Sequence, residues 1–235
     1  CFNKLKSLKN ILIQGGEIKI NESSFIDCSS LRFISITQAS NVCIEQNLFL
    51  NNKSLKIFSI ESNSSIFLRP NCFNACINLE TINLNGKKIF IGDNCFANCT
   101  GINEIVISEV KELSIGEKAF LNCSNLQKVE FKAKSEITIK NNCFGDTKVE
   151  TAAFQGNTVC IGSKCFEVSS FWKSPQIKTV DIRCEKLIIS DECFQNCSSL
   201  TMFSVKDAKE IKLGKNAFAN CESIENIALN AETYL

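Results

Sequence analysis

Apolar residues recur along the chain at positions that repeat about every 24 residues. Each repeat contains one phenylalanine in the same place, and successive spacings are 23, 24, 24, 23, 24, 24, 22, 28 and 24 residues. The ten residues are Phe2, Phe25, Phe49, Phe73, Phe96, Phe120, Phe144, Phe166, Phe194 and Phe218. A nearly constant period in this range is typical of a solenoid, in which each repeat packs only against its neighbours.

Each repeat contains two stretches that alternate between apolar and polar residues. With the phenylalanine counted as position 0, positions +6, +9 and +11 form an L-x-x-I-x-I motif, as in Leu31, Ile34 and Ile36. Positions −7 and −5 form a second pair, as in Ile89 and Ile91. Alternation with a period of two predicts strands with one buried face, and the polar residues between them predict a turn.

The segment around the phenylalanine follows an N-[CA]-F-x-N-C pattern. Its small or apolar residues at −1, +3 and +6 would lie on one side of a short helical turn. Glycine at −4, as in Gly116, indicates either a positive φ or a close approach of the backbone. The sequence therefore predicts an α/β repeat solenoid over residues 1–235, with two short strands and a short helical turn in every 22–28-residue repeat and the phenylalanines stacked inside.

The complete motif resembles that of a known repeat family. The segments Ile115–Cys123 and Leu213–Cys221 read I-G-E-K-A-F-L-N-C and L-G-K-N-A-F-A-N-C. They are similar to the I-G-x-x-A-F-x-x-C of BspA-like leucine-rich repeats, although the proline that often ends L-x-x-I-x-I is missing. This resemblance implies a curved leucine-rich-repeat stack with the L-x-x-I-x-I strands on its concave side. It also implies a surface antigen or adhesin that binds host proteins or other cells.

Composition and charge exclude several classes of function. The 26 basic and 25 acidic residues leave a net charge of +1, which gives no electrostatic reason to expect nucleic acid or an anionic membrane as partner. Histidine is absent, and neither a nucleophile elbow nor a phosphate-binding loop occurs. No apolar run approaches the roughly 18 residues of a membrane helix. We therefore predict no enzyme activity, no cofactor and no transmembrane segment, in a fragment of a longer protein whose first residues already lie inside a repeat.

The fifteen cysteines follow the repeat, which determines how they are interpreted. Twelve of them lie at −1 or +3, where Cys alternates with other small residues such as Ala119 and Ser24. This favours a stack of buried free thiols. A zinc site built from the two C-x3-C pairs between Cys72 and Cys99 is the sharper alternative, and regular disulfides are the third. We predict no metal site, and we expect Cys43 and Cys160, at the outward position −6, to be the most accessible thiols.

Two regions are candidates for binding a protein partner. The first is the outward side of the L-x-x-I-x-I strands, where Phe33, Ile57 and Met202 are apolar at positions that would be polar on an ordinary surface. The second is the extra segment in the 28-residue spacing, which contains Phe171 and Trp172. The alternatives are an ordinary mixed surface for the first region and a patch that covers a gap in the stack for the second.

Two functions remain open at the level of sequence. The resemblance favours a non-enzymatic protein-binding solenoid at the cell surface or in a secreted molecule, whose ligand is a host or cell-surface protein. The abundance of cysteines favours the alternative, an intracellular scaffold in a reducing compartment such as the cytoplasm.

Overall fold

The part of the chain that the structure describes folds into stacked parallel coils that contribute thirteen strands to one sheet. The computed structural model describes residues 2–22, 24–25, 27–168 and 175–234. The strands are β1 Asn10–Ile20, β2 Phe33–Ile44, β3 Ile57–Leu68, β4 Thr81–Asn85, β5 Lys88–Ile91, β6 Glu104–Ile115, β7 Lys128–Ile139, β8 Thr151–Gln155, β9 Thr158–Ile161, β10 Thr179–Arg183, β11 Lys186–Ile189, β12 Met202–Leu213 and β13 Asn226–Tyr234. Each coil pairs with the next one in parallel and nearly in register, so that equivalent residues lie side by side along the stack.

The two strands of a repeat are joined in most coils into one bent strand. In β2, for example, the L-x-x-I-x-I part and the second part are continuous, and Gln38 has a φ of 55° at the bend. Three coils interrupt the strand instead, between β4 and β5, β8 and β9, and β10 and β11. The turn predicted between the two strands is therefore, in most coils, a bend within one strand, and the two parts of that strand lie on different sides of the coil.

The short helical turn is a wrong prediction, because the described residues contain no helix. The segment around most of the phenylalanines is a series of tight turns with a left-handed residue at −2 and another at +2. Around Phe96 these residues are Asn94, with φ 52°, and Asn98, with φ 61°. Asparagine tolerates this conformation better than most residues, which explains the recurrent N-x-F-x-N. The spacing of −1, +3 and +6 is compatible with one face of a helix, but the left-handed asparagines turn the backbone away from a helical path.

These turns also form hydrogen bonds from coil to coil. The amides of Phe96 and Asn98 donate to the carbonyls of Ala119 and Leu121 in the next coil, both at 2.8 Å. The turn segments therefore add a third row of parallel, strand-like hydrogen bonds to those of the two strands. We call this row the turn ladder.

The interior is a column of stacked phenylalanines, as predicted. Ring centroids of successive phenylalanines lie 5.1 to 5.9 Å apart, and the planes differ by 7° to 23°. Phe73, Phe96 and Phe120 are completely buried. Branched aliphatic residues of the strands, such as Ile34 and Ile36, pack around this column. Burial of apolar surface between neighbouring coils is therefore what holds the stack together.

Glycine at −4 is required for close approach, and its φ is not positive. A Cβ on Gly116 would lie 2.5 Å from the backbone nitrogen of Asp93. The Asp93 carboxylate in turn accepts a hydrogen bond from the amide of Glu117 at 2.8 Å. Neighbouring coils therefore come too close for a side chain at the position where the backbone of this coil leaves its second strand.

Candidate protein-binding surface

The outward side chains at +8, +10 and +12 of the coils form what we call the LxxIxI face. Phe33 and Ile57 occupy equivalent places on β2 and β3 and are paired directly in the sheet. Alternation along each strand turns their neighbours Ile34 and Phe58 into the core and leaves Phe33 half-buried and Ile57 exposed. The structure therefore brings these two predicted residues together.

Leu12 extends this apolar group, and the sequence pattern alone did not identify it. Leu12 lies on β1, where it pairs with Ser35, so that it is the diagonal neighbour of Phe33 on the same face. Its side chain is 75% exposed, the largest fraction among the large apolar residues that the structure describes. Leu12, Phe33 and Ile57 thus form one cluster on three neighbouring strands, which we call the apolar cluster. In the sequence, Leu12 is an apolar residue at the outward position +10, whereas Phe33 and Ile57 are at +8.

Charge is nearly absent from the LxxIxI face of the first four coils, although the exposed Lys9, Arg32 and Lys56 at +7 border it. On the first four coils the positions of the LxxIxI face carry one charged residue, Glu61. The remaining ones are Asn10, Gln14, Ser35, Thr37, Ser59, Thr81, Asn83 and Asn85. An exposed leucine and isoleucine beside a half-buried phenylalanine, on a polar face bordered by basic side chains, make this part of the face a candidate contact site.

The other predicted residues lie elsewhere. Met202 is exposed on β12, where it pairs with Thr179 and Asn226, so several strands separate it from the apolar cluster. Phe171 and Trp172 lie outside the residues that the structure describes, and their role stays a prediction. Met202 is therefore a separate exposed residue on the same face.

The later coils carry a charged depression on the LxxIxI face. It has a volume of about 350 Å³ and lies around the small side chain of Ala153. Lys128 and Lys132 flank Glu130 at 3.1 and 2.6 Å and lower the pKa of its carboxyl group. Lys206 similarly pairs with Asp181 at 3.2 Å. Because acidic and basic groups are already matched, this half of the face offers no dominant charge to a ligand.

A pair of half-buried aromatic rings lies on the outward positions of the second strands. Phe67 and Phe90 stack at 4.8 Å with their rings 3° from parallel, and the guanidinium of Arg69 lies 5.7 Å from the Phe67 ring centre. Both rings are half-buried. These rings lie at −6, the same position as Cys43 and Cys160. The sequence pattern indicated accessible thiols at −6 but did not identify the aromatic pair. Cys43 neighbours Phe67 in the sheet and, like Cys160, is half-buried.

The thiols at −1 and +3 form two columns beside the phenylalanines. Five cysteines at +3 donate to the phenylalanine carbonyl of the preceding coil, as from Cys99 to Phe73 at 3.0 Å. At −1, the sulfurs of Cys72 and Cys95 lie 3.3 Å apart. Burial raises the pKa of the Cys123 thiol to about 12. Among the described residues the cysteines are free thiols, and no cluster of three or more His, Cys, Asp or Glu side chains has the arrangement of a metal site.

The part of the chain that the structure describes also contains no helix with the length and apolar character of a membrane span.

Comparison with known structures returned leucine-rich repeat proteins. A leucine-rich repeat protein from Bacteroides ovatus is 20% identical, with a TM-score of 0.47, and the match covers 88% of this chain and 69% of that one. The T. pallidum leucine-rich repeat protein is 18% identical, with a TM-score of 0.46 and coverage of 93% and 84%. A leucine-rich cell surface protein from Faecalibacterium prausnitzii is 15% identical, with a TM-score of 0.34 and coverage of 97% and 79%.

The search of curated proteins gave no significant match. The family model of the BspA-type leucine-rich repeat region matches this chain over residues 1–114, 44–173 and 114–234, with six copies of the repeat. These ranges overlap and extend across the coils described above. The chain therefore belongs to the BspA-type leucine-rich repeat family.

Proposed function

We propose that this chain is a non-enzymatic binding module that recognises a protein ligand through the apolar cluster on its LxxIxI face. The observation that carries the proposal is that Leu12 and Ile57 are exposed, and Phe33 half-buried between them, on adjacent strands of a largely uncharged polar face. Parallel strands present such side chains on a fixed grid about 4.8 Å apart. A partner with apolar side chains at a matching spacing would bury them without ordering a flexible loop, which lowers the entropic cost of binding.

We further propose that the parent molecule acts as an adhesin or surface antigen and that the partner is a host or cell-surface protein. Membership in the BspA-type family supports this location. The rigid array of coils supports the role, because an extended repeat surface suits contact with another large molecule.

An intracellular scaffold is the second candidate, and a specific observation favours it. The cysteines of the described chain are free thiols, which persist most readily in a reducing compartment. Thiol titration of the unreduced, denatured protein from its native source separates the two locations. A count near the fifteen cysteines of the sequence supports the scaffold, and extensive disulfide formation supports export.

The binding proposal is tested with the immobilised 235-residue chain and two separate protein fractions, surface-labelled membrane proteins and cytosol from host-type cells. We expect one surface-labelled protein to bind, and we expect the double variant Phe33→Ser/Ile57→Ser to lose it while its melting temperature stays close to that of the unmodified chain. Met202→Ser is the matched control, since it removes an exposed apolar residue outside the cluster. Equal binding by the chain and the double variant would refute a role for the cluster.

A further inference from the structure

Three basic side chains border the apolar cluster in a row that follows the stack. Lys9, Arg32 and Lys56 occupy position +7 of the first three coils, immediately before the outward position +8. All three side chains are exposed. The row therefore runs beside Phe33 and Ile57, with one basic residue on each coil.

The backbone of this row is fixed by hydrogen bonds between the coils. The carbonyl of Arg32 accepts from the amides of Lys56 and Ile57 at 2.9 and 3.1 Å. The carbonyl of Lys9 accepts from the amides of Arg32 and Phe33 at 2.8 and 3.1 Å. The basic residues are therefore held next to the apolar cluster, and their side chains start one strand spacing, about 4.8 Å, apart.

The positive charge of this row is only partly neutralised. Lys56 pairs with Glu80 of the fourth coil at 3.1 Å. Lys9 and Arg32, in contrast, form no ion pair with any residue that the structure describes. Further along the same row, Lys178 pairs with Glu150 at 2.8 Å. Within the described chain, unpaired basic charge at +7 is therefore confined to the coils that carry the apolar cluster.

The acidic residues of the same coils lie away from this row. Glu17 and Glu45 are at −8 and −4, in or next to the second parts of β1 and β2, and Glu45 pairs with Lys19 at 3.1 Å. Glu22 and Asp27 lie in the turn segment of the second coil. The net charge of +1 for the whole chain therefore conceals a local excess of positive charge next to an exposed apolar group.

We propose that the protein ligand of the apolar cluster presents an acidic segment, in which apolar side chains lie next to carboxylates. This inference rests on the proposed function, because it names the chemistry of the partner for the same site. The apolar side chains would contact Leu12, Phe33 and Ile57, and the carboxylates would pair with Lys9 and Arg32.

The chemistry of both parts of the site favours such a ligand. Arg32 suits a carboxylate, since the planar guanidinium can donate two parallel hydrogen bonds to one carboxylate group. Complementary charge also steers the approach of a partner and fixes its orientation. A sulfated polysaccharide would match the charge, but it has no apolar side chains with which to bury the cluster. The combination of basic and apolar residues therefore favours an acidic segment of a protein.

The test uses capped synthetic decapeptides in three matched sets, which share the same apolar residues and carry Glu, Gln or Lys at the remaining positions. Binding to the isotope-labelled chain is followed through the backbone amide resonances of Phe33 and Ile57. We expect the Glu peptides to bind, and the matching Gln peptides to bind about three- to tenfold more weakly, which is the effect of two partly exposed ion pairs. The difference should disappear in about 1 M salt, where the screening length is about 3 Å. Equal binding of the Glu and Gln sets, a preference for the Lys set, or Glu peptides that leave both resonances in place would overturn the proposal.

Charge variants separate this inference from the proposed function. Arg32→Gln and Lys9→Gln should weaken binding of the Glu peptides and leave that of the Gln peptides unchanged, whereas Phe33→Ser/Ile57→Ser should weaken both sets. Lys178→Gln is the matched control, because it removes a basic residue of the same row that already has an acidic partner. If the double variant loses the peptides but the charge variants do not, the acidic ligand is refuted and the binding role of the cluster stands. If the double variant binds as the unmodified chain does, the proposed function itself fails.

Heparin, a sulfated polysaccharide, is tested in parallel as the competing class of ligand. Heparin that binds more tightly than the Glu peptides, and equally well to Phe33→Ser/Ile57→Ser, would assign the basic row to a polysaccharide and overturn the proposal. The charge variants replace exposed side chains, so their thermal unfolding should remain close to that of the unmodified chain.

Discussion

Cysteine at +3 combines two properties that no other small residue offers together. Cys123 is completely buried, and its thiol donates to the carbonyl of Phe96 at 3.1 Å. The same carbonyl also accepts from the amide of Cys99 at 3.2 Å, so the thiol occupies its second lone pair. Alanine could fill this space but could not donate, while serine would bury a more strongly polar group.

The buried thiol predicts a loss of stability at alkaline pH. The pKa of Cys123 is raised to about 12, whereas an unfolded thiol titrates at about 8.5. Between these values the folded chain retains a proton that the unfolded chain loses, so the free energy of unfolding falls as the pH rises. Urea unfolding from about pH 7 to about pH 11 should show this decline, and it should be shallower for Cys123→Ala. Identical slopes for the two proteins would show that this thiol does not contribute.

Gly116 should tolerate no side chain. An alanine Cβ would lie 2.5 Å from both the backbone nitrogen and a carboxylate oxygen of Asp93, so the two coils would have to separate. We expect Gly116→Ala to lower the free energy of unfolding by about 1–3 kcal/mol, as for other overpacked sites. Gly156→Ala is the matched control, because its Cβ would meet no atom closer than 3.4 Å. Urea midpoints measure both, and equal midpoints would disprove the close-approach explanation.

At the scale of the element, left-handed residues determine the turns around each phenylalanine. Asn142 has a φ of 53° and lies at −2 of its coil. We expect Asn142→Val to destabilise the chain by about 1–2 kcal/mol, because a β-branched residue is disfavoured in this conformation. Asn142→Gly should be nearly neutral, since glycine adopts it freely. Thermal unfolding of both variants tests the prediction, which fails if valine is tolerated as well as glycine.

The strands were predicted from the sequence, whereas the turns around the phenylalanines were predicted as a short helical turn. Alternation at Ile34 and Ile36 has a period of two that no helix reproduces. The residues at −1, +3 and +6 did not identify the local structure, because small residues at this spacing fit one face of a helical turn and a series of tight turns equally well. The asparagines at −2 and +2 were the better indicator, since they favour left-handed turns and are mediocre helix formers.

The part of the candidate surface that follows from strand alternation could be predicted from the sequence. Phe33 and Ile57 follow from the repeat, and the structure confirms that they are neighbours on the outward side. Leu12 required the +10 column to be read in the first coil.

At the scale of the whole molecule, the stack has no central core that could compensate for a local defect. Each coil contacts only its neighbours, so stability is close to a sum of coil terms and interface terms. Phe120 contributes to two interfaces, with Phe96 at 5.4 Å and with Phe144 at 5.7 Å. A defect at this point should therefore weaken the coupling between the two halves of the stack as well as the coil that contains it.

Phe120→Ala should accordingly lower the free energy of unfolding by about 3–5 kcal/mol. Hydrogen exchange should accelerate first in β6 and β7, while β2 and β3 keep their protection. The reason is that a linear stack can begin to unfold at a destabilised coil in its interior. Phe218→Ala provides the comparison, since Phe218 is already partly exposed in this chain and stacks on a single phenylalanine of the column, Phe194, at 5.3 Å. Its cost should be clearly smaller. Uniform acceleration across all strands in Phe120→Ala would instead show that the chain unfolds as one cooperative unit, in conflict with a stack held together only by contacts between neighbouring coils.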